Sequence, residues 1–439
     1  MSDDVLLTEV PRTLDEAPPP RLLGFFDQLA LWWNLGISLL LLVAAQFVIN
    51  PAADRPLSLA AALVAVVVGS VIGNLLLGLG AVPGAETGAP GMVLLRGLLG
   101  RRGSWVPTLF NVLQLVGWTT FEIVVIAESA TKVLSAGWRW PFVVGAGALA
   151  TFMAIRPLGV VRGYLKQVAV WVVLASTAYL FVQVLRQPLD HIEGGSWHHF
   201  WRGADIVIAL AVSWIPLAPD YSRHSHDARS SFFGAFLGYG AASMVFFGLG
   251  VLTYAAYGGD DVIGSLLAIP AGTIALMMLL IDELDEVFAN LYSTVVSVQN
   301  VRPSLDRRVL AVVMGVIATL LALEFDIHAY ENFLLLLGSV FVPLFATFAT
   351  DYFLVSRRRW DVSDDARPRM SMLVPWALGF IAYQLVNPGF VDWWAEWWTG
   401  LGFEAPSWTS ASIASFAVAA IATVTVGAIT RTTGVADRR

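Results

Sequence analysis

A glutamate lies one helical turn after a tryptophan in the apolar stretch "VGWTTFEIVVIAES", residues 116–129. Residues four apart share one helix face, so the Trp118 indole and the Glu122 carboxylate project to the same side. A flat heteroaromatic ring is bound by an aromatic platform and by polar groups at its edge. An ionised carboxylate accepts two parallel hydrogen bonds, which suits an amino group beside a protonated ring nitrogen. Trp118 and Glu122 are therefore candidates for binding an amino-bearing ring.

Glu122 has two further interpretations. A partly desolvated carboxylate can bind and release a proton near neutral pH, which would make Glu122 a proton carrier. It can also serve structure alone, paired with a nearby hydroxyl or backbone amide. Glu128, on the same predicted helix, is expected to pair with Lys132 at i+4 and is assigned no chemistry.

A second concentration of charge lies in "IDELDEVFANLYSTVVSVQN", which holds four acidic residues in an otherwise apolar segment. Each charge at the centre of a bilayer costs at least about 2.5 kcal/mol. Asp282, Asp285 and Glu286 form one stripe at i, i+3 and i+4, which predicts that this face lines a polar cavity. We assign Asp282 and Asp285 a proton-carrying or gating role. The alternative is a helix end outside the membrane.

Two hydroxyls follow the acidic stripe on the same segment. Ser293 and Thr294 come two turns later, and hard cations prefer oxygen ligands such as hydroxyls and unwound carbonyls. The alternative is ordinary helix packing, in which small hydroxylated residues are common.

The amino-acid composition indicates that the chain is surrounded by lipid. Of its 439 residues 57% are hydrophobic and only 13% are charged, where soluble domains carry about a quarter charged residues. Apolar runs long enough to cross a bilayer, roughly 20 residues each, recur along the sequence. The chain is therefore predicted to be an all-α polytopic membrane protein. It contains no cysteine, which excludes disulfides and thiolate metal sites.

Twelve membrane spans are predicted from the hydropathy pattern. They cover approximately 26–50, 57–82, 105–135, 138–155, 160–185, 203–220, 231–257, 271–300, 308–323, 330–355, 371–387 and 408–430. With a cytoplasmic N-terminus, 21 of the 26 lysines and arginines fall on the cytoplasmic side, as the positive-inside rule requires. Both termini are then cytoplasmic. The basic stretch 88–104 is too short to cross and is predicted to lie at the membrane interface.

The first and sixth spans carry helix-breaking residues. "LWWNLGIS" places Asn34 and Gly36 among apolar residues, and "LAVSWIPLAPDYSRH" places Pro216 and Pro219 shortly after Trp214. Unwound backbone is tolerated in a membrane only where it lines a cavity, so Asn34 and Trp214 are candidate substrate ligands. For Asn34 and Gly36 the alternative is a point of close helix packing.

The spacing of the two breaks predicts the organisation of the chain. They lie five spans apart, which predicts inverted halves at about 26–185 and 203–355, with extra helices over 371–430. A disordered cytoplasmic tail is expected over 1–22, a transporter domain over 23–430 and a cytoplasmic C-terminal tail over 431–439.

Together these motifs resemble the nucleobase:cation symporters, the family of purine–cytosine permeases and hydantoin/allantoin permeases. The cytosine and hydroxymethylpyrimidine branch is the most similar. The resemblance rests on "GLGAVPGAETGAPGMVLLRGLLGRRGSWVP", "VGWTTFE", "IALAVSWIPLAPDYSRH" and "DELDEVFANLYSTVVSVQNVRP". It implies a leucine-transporter-like fold of twelve helices, with a five-plus-five inverted repeat, broken helices 1 and 6, and two extra helices. It also implies uptake of a small nitrogen heterocycle driven by Na⁺ or H⁺.

The resemblance assigns roles to several positions and shows two departures. Trp118 matches a tryptophan that stacks on the substrate, while Glu122 stands where relatives often have Gln or Gly. Ala211, nine residues before Asp220, stands where several relatives have a second stacking aromatic, so Trp214 is expected to replace it or Trp118 to hold the ring alone.

Further positions are assigned by the same resemblance. Hydroxyls in the eighth span bind Na⁺ together with carbonyls of the first, which implies Ser293 and Thr294 with Asn290 nearby. Gln299 and Asn300 fall where relatives place a substrate-binding amide.

Other classes of function fit the sequence less well. The six histidines lie in predicted loops or at span ends, so no metalloenzyme site is expected within the membrane, and the chain is predicted not to be an enzyme. An ATP-driven pump would need a GxxxxGK[ST] loop, which is absent. A channel would not need two broken helices around one aromatic site. Asp220 is expected to form a structural or gating ion pair with Arg223.

We therefore predict a symporter in the plasma membrane, the inner membrane of a bacterium. The expected substrate is cytosine, hydroxymethylpyrimidine or a purine, with hydantoin- or allantoin-type rings as the alternative. No covalent cofactor, nucleic acid or obligate protein partner is implied; the expected partners are the substrate, a coupling Na⁺ or H⁺, and the bilayer.

Overall fold

The chain folds into seventeen α-helices within the residues that the computed structural model describes, which are 20–51, 55–155, 159–192, 194–259, 261–389 and 391–436. The helices are α1 (Phe25–Asn34), α2 (Leu39–Ile49), α3 (Leu59–Thr87), α4 (Gly91–Leu99), α5 (Trp105–Val133), α6 (Trp140–Ile155), α7 (Gly159–Leu185), α8 (Phe200–Ser213), α9 (Ala218–Ser222), α10 (Ala228–Tyr257), α11 (Val262–Leu267), α12 (Gly272–Val301), α13 (Arg307–Glu324), α14 (Tyr330–Ala349), α15 (Leu373–Val386), α16 (Asp392–Thr399) and α17 (Ala411–Ala436). A π-helical segment, Thr350–Val355, continues α14.

The first predicted break is confirmed. The axes of α1 and α2 are bent by 68° across residues 35–38. Ser38 begins α2 by accepting a hydrogen bond from the Leu40 N–H at 3.1 Å. A Cβ on Gly36 would lie 2.6 Å from the Cβ of Ala242 on α10, so the break is also a point of close packing.

The second predicted break is also confirmed. Helix α8 ends at Ser213, residues 214–217 form turns, and the five-residue α9 follows with Pro219 in its first turn. Proline is favoured there because the first amide groups of a helix have no partner within it. Two short helices thus replace one continuous span.

Small residues allow the helices to pack closely. A Cβ on Gly69 or Gly73 of α3 would lie 2.7 Å from Val207 or 2.8 Å from Ala211 of α8. Small residues at helix interfaces let backbones approach each other in membrane proteins. Other helix pairs that pack against each other are α3 with α10, α5 with α12, and α6 with α13.

Five helical segments are long and apolar enough to cross a bilayer, and the bent pair α1–α2 is a sixth if counted as one span. The protein is therefore a multi-pass membrane protein. All twelve predicted ranges contain helix, but several of these helices are shorter or more polar, and the count of twelve spans stays a prediction.

Two local predictions are wrong. All nine residues of α4 are buried, so this segment packs inside the protein and has no exposed face that could lie on a membrane surface. Glu128 pairs with Arg139 at 3.3 Å, whereas Lys132 pairs with Asp261 at 2.6 Å. Burial acts to raise the pKa of Asp261, but hydrogen bonds from Lys132 and the Gly264 N–H hold that pKa below its ordinary value.

Candidate functional site

The site is built by two antiparallel helices, α5 and α12, whose register is set by side-chain pairs. The Asn300 amide donates to Thr108 Oγ1 at 3.0 Å, and the Asn111 amide donates to Ser297 Oγ at 2.8 Å. Glu122 lies fourteen residues after Thr108 on α5, and Glu286 lies fourteen residues before Asn300 on α12. The same register therefore puts these two glutamates side by side. The register is therefore constant over about four turns.

Three buried carboxylates lie close together at the point where Glu122 and Glu286 are side by side. One oxygen from each of Glu122, Glu283 and Glu286 lies within 4.8 Å of the other two, and the three residues are only 1%, 1% and 4% exposed. The Glu122 side chain is within hydrogen-bonding reach of both other carboxylates. We call these three residues the glutamate triad. Three oxygens this close can share protons or a small cation.

Glu283 connects the glutamate triad to the first broken helix. Its two carboxylate oxygens accept hydrogen bonds from the Ser38 hydroxyl at 3.0 Å and from the Leu39 N–H at 2.9 Å. No role was predicted for Glu283 from the sequence, although Glu283 and Glu286 stand at i and i+3. The predicted stripe combined Glu286 with Asp282 and Asp285, and the side chains of these two aspartates lie outside the described part of the structure.

Aromatic side chains surround the predicted platform, Trp118. Its ring contacts Tyr330 and Phe333 edge-to-face, with centroids 5.9 and 5.3 Å apart. The Tyr330 hydroxyl is buried without a hydrogen-bond partner among the described residues, and it interacts electrostatically with all three glutamates. Trp118 and the glutamate triad are therefore parts of one site.

Trp214 lies in the break between α8 and α9 and contacts Trp32 and Tyr239, at centroid distances of 6.2 and 5.7 Å. Tyr239 in turn interacts electrostatically with the glutamate triad. Ala211 faces Gly73 of α3, where a Cβ on the glycine would approach it to 2.8 Å. An aromatic ring at 211 would collide with α3, so the aromatic of this region stands at 214.

Asn290 lies at the same height as Trp118, because four residues along α12 from Glu286 correspond to four residues back along α5 from Glu122. The Asn290 amide nitrogen is buried and has no hydrogen-bond partner among the described residues. Asn290 was predicted to lie near a cation site, whereas the register of α5 and α12 puts it level with Trp118.

Gln299 and Asn300 lie at the other end of α12, thirteen or more residues from Glu286, which is about 20 Å along a helix. The Gln299 amide donates to the Leu305 carbonyl at 3.0 Å. Asn300 accepts from Arg96 at 2.8 Å and donates to Ser104 at 3.1 Å. The structure does not bring these two amides to Trp118.

The predicted cation ligands, Ser293 and Thr294, lie along α12 between Asn290 and Gln299. Thr294 donates to the carbonyl of Asn290 at 2.7 Å, and Ser293 lies beside the buried carboxylate of Asp220. Asp220 also accepts from the Gly91 N–H at 2.8 Å, which connects α9 to α4. The carboxylate of Glu283, and not a hydroxyl at 293 or 294, bonds to the first break. Asn34 ends α1 and its carbonyl accepts from the Ile37 N–H at 3.2 Å.

Three comparisons with known proteins agree. A protein-family model described as permease for cytosine/purines, uracil, thiamine, allantoin matches residues 26–371. The cytosine permeases of Escherichia coli K12 and O157:H7 are each 25% identical over 315 residues, which are 66% of this chain and 70% of the permease.

Two solved structures are similar over the whole fold. The inward-facing conformation of Mhp1 matches with a TM-score of 0.76 at 18% identity, covering 97% of this chain and 96% of Mhp1. Mhp1 in a closed conformation with bromovinylhydantoin bound, described as a nucleobase-cation-symport-1 family transporter, matches equally well over 96% of each chain. At this identity the likeness shows a shared fold.

Proposed function

Because the chain belongs to the family of permeases for cytosine, purines, uracil, thiamine and allantoin, we propose that it imports a nitrogen heterocycle by cation symport. A secondary transporter of nucleobases or related heterocycles is what the family match establishes, and it is not an enzyme. The substrate, the coupling ion and the topology are the finer parts of the proposal.

An inverted repeat is supported by the order of the helix lengths. The first half begins with the broken pair α1 and α2. The helices α3 to α7 follow, with lengths of 29, 9, 29, 16 and 27 residues. The second half begins with the broken pair α8 and α9. The helices α10 to α13 follow, with lengths of 30, 6, 30 and 18 residues, and then the continuous α14 with its π-helical extension. We propose a leucine-transporter-like arrangement of twelve spans with both termini in the cytoplasm, as the positive charges favour.

One observation carries the substrate assignment: the Oε2 atom of Glu122 is buried without a hydrogen-bond partner among the described residues, one turn from Trp118. A ring stacked on Trp118 would present its edge to this acceptor and to the Asn290 amide at the same height. The acceptor favours a substrate with an amino group. We therefore propose cytosine, hydroxymethylpyrimidine or a purine, with Trp214 as a second aromatic wall.

The second candidate is a hydantoin- or allantoin-type ring. The structural relative Mhp1 has bromovinylhydantoin bound. Such a ring presents donor and acceptor side by side, and a protonated Glu122 would match it.

The coupling ion is proposed to be Na⁺ or H⁺. For Na⁺, the proposed ligands remain Ser293 and Thr294, whereas the register favours the ring edge over the ion for Asn290.

The test is binding of radiolabelled compounds to the purified protein, with and without Na⁺. The compounds are cytosine, guanine, hydroxymethylpyrimidine, uracil, hydantoin and allantoin. A hydrogen bond to a charged group is worth about 1.5–3 kcal/mol, so Glu122→Gln should weaken binding of an amino-bearing ring by roughly 10- to 150-fold. Glu128→Gln is the matched control on the same helix, because Glu128 pairs with Arg139 instead.

Binding of uracil, hydantoin or allantoin alone would show that the assignment of an amino-bearing ring is wrong. Equal effects of the two glutamine substitutions would show that the contact with Glu122 is not specific.

A further inference from the structure

We propose that the glutamate triad binds the proton that drives transport, as a proton shared between Glu122 and Glu286 and held against the first helix break by Glu283. The inference rests on the proposed symport function and assigns its coupling ion. Neither the family match nor the relatives identify such a site in this chain.

The three carboxylates of the triad are too close together and too deeply buried for all of them to be ionised. One oxygen from each of the three carboxylates lies within 4.8 Å of the other two in a region of at most 4% exposure, and Glu122 is within hydrogen-bonding reach of both Glu283 and Glu286. Two ionised carboxylates cannot hydrogen-bond to each other, because an ionised carboxylate has no donor. A direct hydrogen bond between Glu122 and Glu286 therefore requires a proton between them, as in other buried carboxylate pairs that share one proton.

A second, independent observation comes from α14. The Tyr330 hydroxyl is fully buried, has no hydrogen-bond partner among the described residues, and interacts with all three glutamates. Burying an unpaired hydroxyl is costly unless a ligand or a change of protonation supplies a partner. Tyr330 thus brings a hydrogen-bond donor without a partner into the neighbourhood of the triad, as a site that changes its protonation would need.

The number of oxygen ligands favours a proton over a metal ion. A hard cation such as Ca²⁺ takes six to eight oxygen ligands. With one ligand oxygen from each of the three glutamates and one from the Tyr330 hydroxyl, these side chains offer four oxygens, fewer than such a cation takes. A shared proton needs only two oxygens.

The groups that face the triad come from four helices and the first break. They are Glu122 on α5, Tyr239 on α10, Glu283 and Glu286 on α12, and Tyr330 on α14, with Ser38 and Leu39 from the break. The side chains of Asp282 and Asp285 lie outside the described part.

The position of Glu283 explains how a proton could drive a conformational change. Its carboxylate is bonded at the point where α1 and α2 bend by 68°. Gaining or losing a proton changes the charge beside this bend and therefore the strength with which Glu283 holds it. In one cycle, external water gives a proton to the Glu122–Glu286 pair, and the pair releases it to internal water together with the substrate.

Infrared spectroscopy tests the proton directly and needs no substrate. The purified protein at pH 7 is expected to show a protonated-carboxyl C=O band that shifts in D₂O. This band should be lost or shifted in Glu122→Gln and in Glu286→Gln, and unchanged in Glu128→Gln. Wild-type-like spectra for the first two variants would overturn the inference. So would loss of the band on addition of Na⁺, Mg²⁺ or Ca²⁺, since a metal ion would then occupy the triad.

Proteoliposomes containing a pH-sensitive dye test the coupling. External cytosine should acidify the lumen with the wild type and with Glu128→Gln, and not with Glu286→Gln. Entry of labelled cytosine without acidification, driven by a Na⁺ gradient, would overturn the inference and leave the proposed function intact. If no compound of the panel enters, the proposed function fails, while the infrared result still decides whether the triad holds a proton.

Discussion

Ser38 makes two hydrogen bonds at the first helix break, and removing them should be more costly than removing an ordinary helix cap. The Ser38 oxygen accepts a hydrogen bond from the Leu40 N–H at 3.1 Å, and the Ser38 O–H donates one to the Glu283 carboxylate at 3.0 Å. Loss of a serine N-cap costs typically about 1 kcal/mol. A hydrogen bond to a charged group contributes about 1.5–3 kcal/mol. We therefore expect Ser38→Ala to lower the free energy of unfolding by about 2.5–4 kcal/mol in total.

The matched control is Ser58→Ala. Ser58 caps α3 by accepting from the Ala61 N–H at 3.3 Å, and no carboxylate is among its described partners. Its replacement should cost only about 1 kcal/mol. Denaturant unfolding of both variants in detergent micelles measures the difference, which isolates the bond to Glu283.

A double-mutant cycle makes the reasoning refutable. In a Glu283→Ala background the acceptor is gone, so Ser38→Ala should then cost only the value of the cap. Equal costs for the serine variants at 38 and 58, or an unchanged cost at 38 in the Glu283→Ala background, would show that the bond between Ser38 and Glu283 does not stabilise the break.

Three further outcomes are expected. Stacking of a base on an aromatic ring is worth about 1–3 kcal/mol, so Trp118→Ala should weaken cytosine binding by roughly 5- to 150-fold in a radioligand assay, and Trp118→Phe by less. Asn290→Ala should weaken the same binding, while Gln299→Ala should not; the reverse would refute the register. The exposed pair of Lys132 and Asp261 should contribute under about 1 kcal/mol. Since the pKa of Asp261 is lowered, the cost of Lys132→Met in a denaturation series should be present at neutral pH and vanish as the pH falls below about 4.

The sequence predicted the class of the protein and both helix breaks, because those features are local. Hydropathy alone requires membrane helices, and the clustered helix-breaking residues of the first and sixth spans mark where these two spans are interrupted. The break at "LWWNLGIS" and the break before Pro219 were both found in this way. The shared face of Trp118 and Glu122 also follows from helix geometry, since four residues make about one turn.

The partners of several side chains could not be predicted from the sequence. Glu128 was expected to pair with Lys132 on its own helix, yet it pairs with Arg139, which directly precedes α6. The segment α4 has the composition of an interfacial helix, but the surrounding helices bury it. In both cases the spacing along one helix was correct and the neighbouring element decided the contact.

The sequence by itself determined a membrane transporter with two broken helices and an aromatic–carboxylate pair on one face, because each of these depends on residues within one or two turns. Only the tertiary structure decided which residues of α12 meet that face. The axial register of two antiparallel helices is set by packing and by hydrogen bonds such as that from Asn111 to Ser297. The hydrophobic period of either helix does not fix it. That register brings Glu286 to Glu122 and Asn290 to the height of Trp118, and it leaves Asn300 at the far end of α12.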